Sequence, residues 1–252
     1  MIVLAFDTAT ADTAVGLLVT GARVRCARHE PVAGERPGHA SELLGLARAL
    51  LDEAGLGWSD VDRIGVGTGP GTFTGLRIGV ATARALAQAG GQELVGLSTL
   101  EALALGAAAR PSPAAFGSAA AQPAQPRTPP PAPPDGAPAI LACLDARRGE
   151  AYVGAWRAGA PLLAGPRAVG PDALADVLSV HAGSWRAVGD GSVGFRAQLE
   201  AAGVHVAPDD SPLHHVDGTW LCELASLAAP AGRDALEPEY VRAPDAIPKH
   251  LR

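Results

Sequence analysis

The chain has 252 residues, with 20 Lys+Arg against 26 Asp+Glu for a formal net charge of −6, and it is 48% hydrophobic and 18% charged. That balance excludes wholesale disorder and disfavours a sequence-blind nucleic-acid binder, whose affinity rests on cationic neutralisation of phosphates. It contains no apolar run of the roughly 18 residues a membrane span needs, and MIVLAFD lacks the basic flank of a signal peptide, so a cytoplasmic chain without membrane contact is expected.

From the N-terminus, Ile2 to Phe6 reads as a buried strand, followed by the turn DTATAD and strands at Thr13 to Val19 and Arg23 to His29, an antiparallel meander. After Pro37, residues Ala40, Leu43, Leu44, Ala47, Leu50, Leu51 and Ala54 recur at three- and four-residue spacing, which predicts a helix stopped by Gly55. Val61 to Gly67 then reads as a strand, Gly75 to Ala89 as a helix, Glu93 to Gly96 as a strand and Thr99 to Leu105 as a short helix. From Ala107 to Pro138 Ala, Pro, Ser and Gln displace periodic hydrophobics, and a flexible or polyproline-like insertion is expected between a lobe at 1–106 and a lobe at 139–252. The second lobe starts again with strands at Ala139 to Leu144, Ala151 to Trp156 and Leu162 to Val169. A helix (Ala173 to Val180), strand (Trp185 to Val188), helix (Val193 to Ala202), short strand (Val204 to Val206) and helix (Trp220 to Leu227) follow. Two such lobes, each a mixed sheet with helices, make an α/β chain whose pattern is that of the actin-like ATPase superfamily. The tail after Tyr240 is left either with the second lobe or folded back on the first.

The sharpest local feature runs from Gly67 to Gly79, GTGPGTFTGLRIG. A Gly/Pro-rich loop entering a helix can leave backbone N–H groups free for an anion, although the lysine of a phosphate-binding Walker loop is missing. Arg77, in the first turn, opposes the helix macrodipole and calls for an anionic partner. Gly69, Gly71, Thr72 and Arg77 are therefore candidate phosphate contacts, beside a reading of the loop as a tight structural turn. Asp7 and Thr8 at the first strand end, Asp145 in the second-lobe hairpin, and Gly189 and Gly191 complete a degenerate nucleotide site. From local chemistry alone, Asp7 reads first as an ordinary turn-capping aspartate. Along the second helix Gly75, Gly79, Ala83 and Ala87 repeat every four residues, with Leu76 and Val80 on another side. Together with Leu43, Leu44 and Ala47 of the first helix, these are candidate partner-interface residues, burial within the lobe being the alternative. No pair of histidines has metal-ligand spacing and no serine nucleophile motif is present, so neither a metal site nor a catalytic residue is assigned. Cys26, Cys143 and Cys222 form no CxxC pair and read as small buried hydrophobes.

Taken together, LAFDTATADTAVGL, HASELL, GVGTGPGTFTGLRIGVATARALA, CLDARRGEAYVGAW, VGDG at 188–191 and EPEYVR resemble the TsaB family, also called YeaZ. The resemblance implies an actin-like, non-catalytic subunit that binds and activates the transferase TsaD, with the ATPase TsaE, in forming threonylcarbamoyladenosine beside the anticodon of tRNAs reading ANN codons. It further implies tRNA contact only through the complex, an alternative homodimer, no required cofactor, and ATP or ADP at most at a subunit boundary. A catalytically active actin-like enzyme, either a threonylcarbamoyl transferase or a small-molecule kinase, is the competing reading.

Overall fold

The computed structural model describes residues 1–32, 34–109, 137–157, 162–232 and 235–242. In the first half β1 (Ile2–Asp7), β2 (Thr13–Val19) and β3 (Arg25–His29) are followed by α1 (His39–Glu53), β4 (Arg63–Gly69), α2 (Phe73–Gly90), β5 (Glu93–Ser98) and α3 (Thr99–Ala108). The second half holds β6 (Ala139–Asp145), β7 (Ala151–Trp156), β8 (Leu162–Val169), α4 (Leu174–Leu178), β9 (Trp185–Val188), α5 (Asp190–Gly194), α6 (Arg196–Ala201), β10 (Val204–Val206) and α7 (Gly218–Leu227). The strands form two sheets in the orders β3-β2-β1-β4-β5 and β8-β7-β6-β9-β10. In both, the first three strands pair antiparallel and the last two add in parallel, so the two lobes share one actin-like topology.

The central strands β1 and β6 are buried on both faces, which is why each reads as an unbroken apolar run rather than an alternation. On β1, Leu4 and Phe6 face α1 and α2, while Val3 and Ala5 face the molecule's interior with Leu221 and Ala225 of α7. On β6, Leu141 and Cys143 face Leu174, Val177 and Leu199, while Ile140, Ala142 and Leu144 share the interior with α3. The molecule is therefore layered: α1 and α2, first sheet, α7 and α3, second sheet, α4 to α6.

The central layer corrects the expected division of the chain. Trp220 to Leu227 was expected in the second lobe, yet α7 lies on the first sheet, and α3, which closes the first half, lies largely against β6 and β7. Close approach makes this exchange physical. A Cβ at Gly16 on β2 would lie 2.3 Å from the carbonyl oxygen of Gly218, and one at Gly106 on α3 would lie 2.8 Å from the Trp220 indole nitrogen. Only glycine lets the start of α7 and the body of α3 sit that near their neighbours.

Smaller differences are local. Helix α3 extends through Ala108, so the expected insertion begins late, and its residues 110–136 lie outside the described residues. The helix expected over Val193 to Ala202 is two short helices, broken at Phe195, and the one expected at Ala173 to Val180 shrinks to α4 behind a 3₁₀ turn at Pro171–Ala173. Cys26 departs from its expected burial: it is exposed, with its Sγ 3.3 Å from Thr219 Oγ1, whereas Cys143 and Cys222 are buried. Among the described residues, no helix is long and apolar enough to cross a membrane.

Candidate functional site

The candidate nucleotide residues gather at the ends of β1 and β4 in one lobe and at the ends of β6 and β9 in the other. Asp7 is fully buried; its Oδ1 accepts the Ala9 N–H at 2.7 Å and its Oδ2 accepts the Thr99 hydroxyl at 2.7 Å. The first of these bonds is the turn cap anticipated from the sequence. Burial pushes the Asp7 carboxyl above its ordinary range against the lowering effect of both hydrogen bonds, and the nearby Asp12 charge pushes the same way as burial.

The glycine block closes on this turn. A Cβ at Gly67 would lie 1.8 Å from Asp7 Oδ2, at Gly71 2.3 Å from Ala9 O, at Gly75 1.9 Å from Thr8 O and at Gly79 2.5 Å from Thr8 Oγ1. Thr72 N–H donates to Ala9 O at 2.7 Å and the Thr8 hydroxyl to Gly75 O at 2.7 Å. Of the readings open for the loop, the structure supports the tight turn: the small residues make room for the chain's own Asp7–Ala9 segment. Gly189 and Gly191 do the same in the other lobe, where Cβ atoms would meet Cys143 O at 2.1 Å and Leu144 C at 2.7 Å. Asp145 is exposed and internally paired; its carboxylate accepts Arg147 N–H at 2.7 Å and pairs with the same arginine's guanidinium at 3.1 Å, while Asp190 accepts Asp145 N–H at 3.0 Å. Gly69, in the left-handed region at φ +116°, lies under the tail, with Glu239 O 3.2 Å from where its Cβ would stand.

Arg77 finds no anion among its described contacts. Its guanidinium lies 3.8 Å from the Phe73 ring centroid and its Nε donates to the Tyr240 hydroxyl at 3.1 Å. The ring face offsets the charge that the first helical turn disfavours.

The expected interface residues divide by burial. Leu43, Ala47, Gly75, Leu76, Gly79, Val80 and Ala83 are buried within the chain itself, so the small-residue groove of α2 faces its own lobe and not a second molecule. Leu44, 47% exposed, is the exception. The outward faces of the two helices carry instead Leu44, Gly45 and Ala49 on α1, and Phe73, Arg77, Ala81 and Ala85 on α2.

Histidines take places that local spacing could not show. His39, at the start of α1, is buried with Nδ1 2.8 Å from the Thr13 hydroxyl. His215 Nδ1 lies 2.5 Å from Asp12 Oδ2, and with Glu30 these make a trio of ligand-type atoms within 4.8 Å of one another. Arg28 answers the trio's charge: its Nε is 2.8 Å from Glu30 Oε1 and 3.9 Å from Asp12 Oδ2. Residues so far apart in sequence leave no motif, so the trio was invisible before folding.

Comparison with known proteins places this architecture. The family model for TsaD, tRNA N6-adenosine threonylcarbamoyltransferase, matches residues 34–122, about a third of the chain. The solved structure of YeaZ from Pseudomonas aeruginosa superposes with a TM-score of 0.70 at 30% identity, over 95% of this chain and 99% of that one. The chain belongs to the TsaB/YeaZ family. A second Pseudomonas aeruginosa structure, described as similar to peptidase YeaZ, gives a TM-score of 0.71 at 30% identity over 96% of this chain and 99% of that one. The Escherichia coli tRNA threonylcarbamoyladenosine biosynthesis protein TsaB is 32% identical over 152 residues, 60% of this chain. Those residues span about half of that curated relative, 53% of its length. A tRNA N6-adenosine threonylcarbamoyltransferase of Erythrobacter litoralis is 31% identical over 116 residues, 41% of this chain and 34% of that protein.

Proposed function

We propose that this member of the TsaB/YeaZ family is a non-catalytic subunit of the machinery that makes threonylcarbamoyladenosine in tRNA, acting by binding and activating a TsaD-type transferase. The names of its TsaB relatives support the pathway. The observation that carries the non-catalytic role is the glycine block seated on Asp7, Thr8 and Ala9, which spends on internal packing the clearance a phosphate would need. Under this reading tRNA is met only through the complex, TsaE joins as the ATPase, and no cofactor is required. Calorimetry with ATP and ADP, on the chain alone and with its partner, decides whether nucleotide binds at their boundary.

The docking face follows from burial. An interface needs apolar side chains that are exposed in the free chain, and the outward faces of α1 and α2 supply Leu44 and Phe73 above small residues that allow close helix approach. TsaD, or a second copy of the chain, docks there through its equivalent helices.

The test is reconstitution with TsaD, TsaE, unmodified tRNA, ATP and the enzyme that forms threonylcarbamoyl-adenylate, the modified nucleoside being read by mass spectrometry. Modification is expected only when this chain and TsaD are both present. Modification without TsaD would establish the competing catalytic reading. On the docking face, Ala81→Glu is expected to leave a folded chain that no longer co-elutes with TsaD in gel filtration; an intact complex would move the interface elsewhere.

A further inference from the structure

Residues 231–232 and 235–241 are attached along the first lobe, and Arg242 reaches the second. Ala231 N–H donates to Leu94 O at 2.7 Å, Arg84 on α2 donates to Leu236 O at 2.5 Å, and Glu239 N–H donates to Thr68 O, at the end of β4, at 2.7 Å. Tyr240 lies against Phe73 with ring centroids 5.5 Å apart and accepts the Arg77 hydrogen bond. Two residues later Arg242 spans the β6–β7 hairpin of the other lobe, donating to Glu150 Oε2 at 2.8 Å and to the carbonyl of Ala146. Glu239, Tyr240 and Arg242 thus touch, within four residues, the glycine loop, the first turn of α2 and the opposite lobe.

We propose that Glu239–Arg242 is a clasp that couples the first turn of α2 in one lobe to the β6–β7 hairpin of the other. The bonding pattern makes it a two-ended device. On one side the grip is one backbone hydrogen bond, one tilted ring contact and one hydroxyl, all on a short stretch of β4 and α2. On the other it is an arginine fork whose two donors need the hairpin in its present shape, Ala146 N–H donating to Glu150 O at 3.0 Å and Glu150 N–H to Arg147 O at 3.1 Å. Such a fork is directional and loses its grip when either end moves. Coupling between sites requires an element whose state both of them bias, and here that element is a four-residue strap with a contact set at each end. Phe73 and Arg77 also lie on the outward face of α2, so an occupant of that face acts on the clasp directly; this last step rests on the proposed function, and the test below needs no partner.

Amide hydrogen exchange on the full chain reads the coupling. Tyr240→Ala removes the ring contact with Phe73 and the hydroxyl that accepts from Arg77, both in the first lobe, yet the amides of Ala146 and Glu150 in the other lobe are expected to exchange roughly tenfold faster. Conversely, Arg242→Ala is expected to speed exchange at the start of α2, at Leu76 in particular, whose N–H donates to Thr72 O at 3.0 Å. Arg242→Lys, which keeps the charge but not the fork, is expected to show the same change. Hairpin amides that stay at the wild-type rate in Tyr240→Ala would overturn the clasp. Should Tyr240→Ala accelerate exchange throughout the chain, Arg77→Gln, an exposed change that removes the same hydroxyl contact, decides: faster hairpin exchange supports the clasp and an unchanged hairpin overturns it.

Discussion

Asp7 concentrates the difference between what a residue type suggests and what its surroundings do with it. A carboxylate at a strand end facing a glycine loop suggested a nucleotide site, but its two oxygens are taken up by Ala9 N–H and the Thr99 hydroxyl inside a fully buried turn. Because burial raises its folded pKa above the ordinary 3.8, the folded state holds that proton more tightly than the unfolded chain does. The stability tied to the protonated form is whole below 3.8 and is lost as pH rises through the folded value. Asp7→Asn, which keeps an acceptor for Ala9, is therefore expected to raise stability at pH 7 and to flatten this loss, measured by urea denaturation across pH 4 to 7. Destabilisation by the same change would mean that the charged form serves the fold.

His39 titrates with the opposite sign. Burial lowers its pKa below the ordinary 6.5, so the unfolded chain takes up a proton first and stability falls as pH drops from 6.5 through the folded value. In His39→Gln the acid-side loss is expected to shrink, a result the same urea titrations would check. Neither effect was legible in the sequence, because both come chiefly from burial, which only the folded chain creates.

Among elements, α2 carries the clearest contrast between two faces. Its four-residue repeat of Gly75, Gly79, Ala83 and Ala87 was visible in the sequence, but a helix that is apolar or small nearly all round does not say which side meets its own sheet. The structure answers through clearance, a Cβ at Gly75 lying 1.9 Å from Thr8 O, a backbone atom that cannot step aside. Gly75→Ala is expected to cost roughly 2 kcal/mol or more in thermal or urea melts, since backbone must shift to admit one methyl. Ala83→Glu, at a fully buried position, is expected to leave no folded protein, while Ala81→Glu one half-turn away stays within about 0.5 kcal/mol of the parent. Folded, parent-like Ala83→Glu would show that the small-residue face is free after all.

For the whole molecule, the exchange of α3 and α7 between the lobes decides what can fold alone. The inner face of the first sheet, with Val3, Ala5, Val95 and Leu97, is covered by a helix that the chain supplies only after residue 217. A fragment of residues 1–109 is accordingly expected to lack a cooperative thermal transition by circular dichroism, and to gain one when residues 137–252 are supplied in trans. A cooperative transition in the isolated fragment would show that α7 is dispensable to the first sheet. Leu221, fully buried at this junction, is expected to cost about 2–5 kcal/mol on replacement by alanine, read as a fall in the urea midpoint.

The sequence by itself determined the order and type of the strands and longer helices, the repetition of one pattern in two halves, and the membership of a family. Hydrophobic period, glycine and proline punctuation and contiguous motifs are local, and local signals survive without a fold. Tertiary structure alone decided that α7 crosses to the first sheet, that the glycine block packs on Asp7 to Ala9, that Arg77 meets Phe73 and Tyr240, and which helix faces look outward. Each of these is a contact between segments far apart in the chain, chosen by steric clearance and burial, and a single sequence records neither distance nor which of two apolar faces is covered.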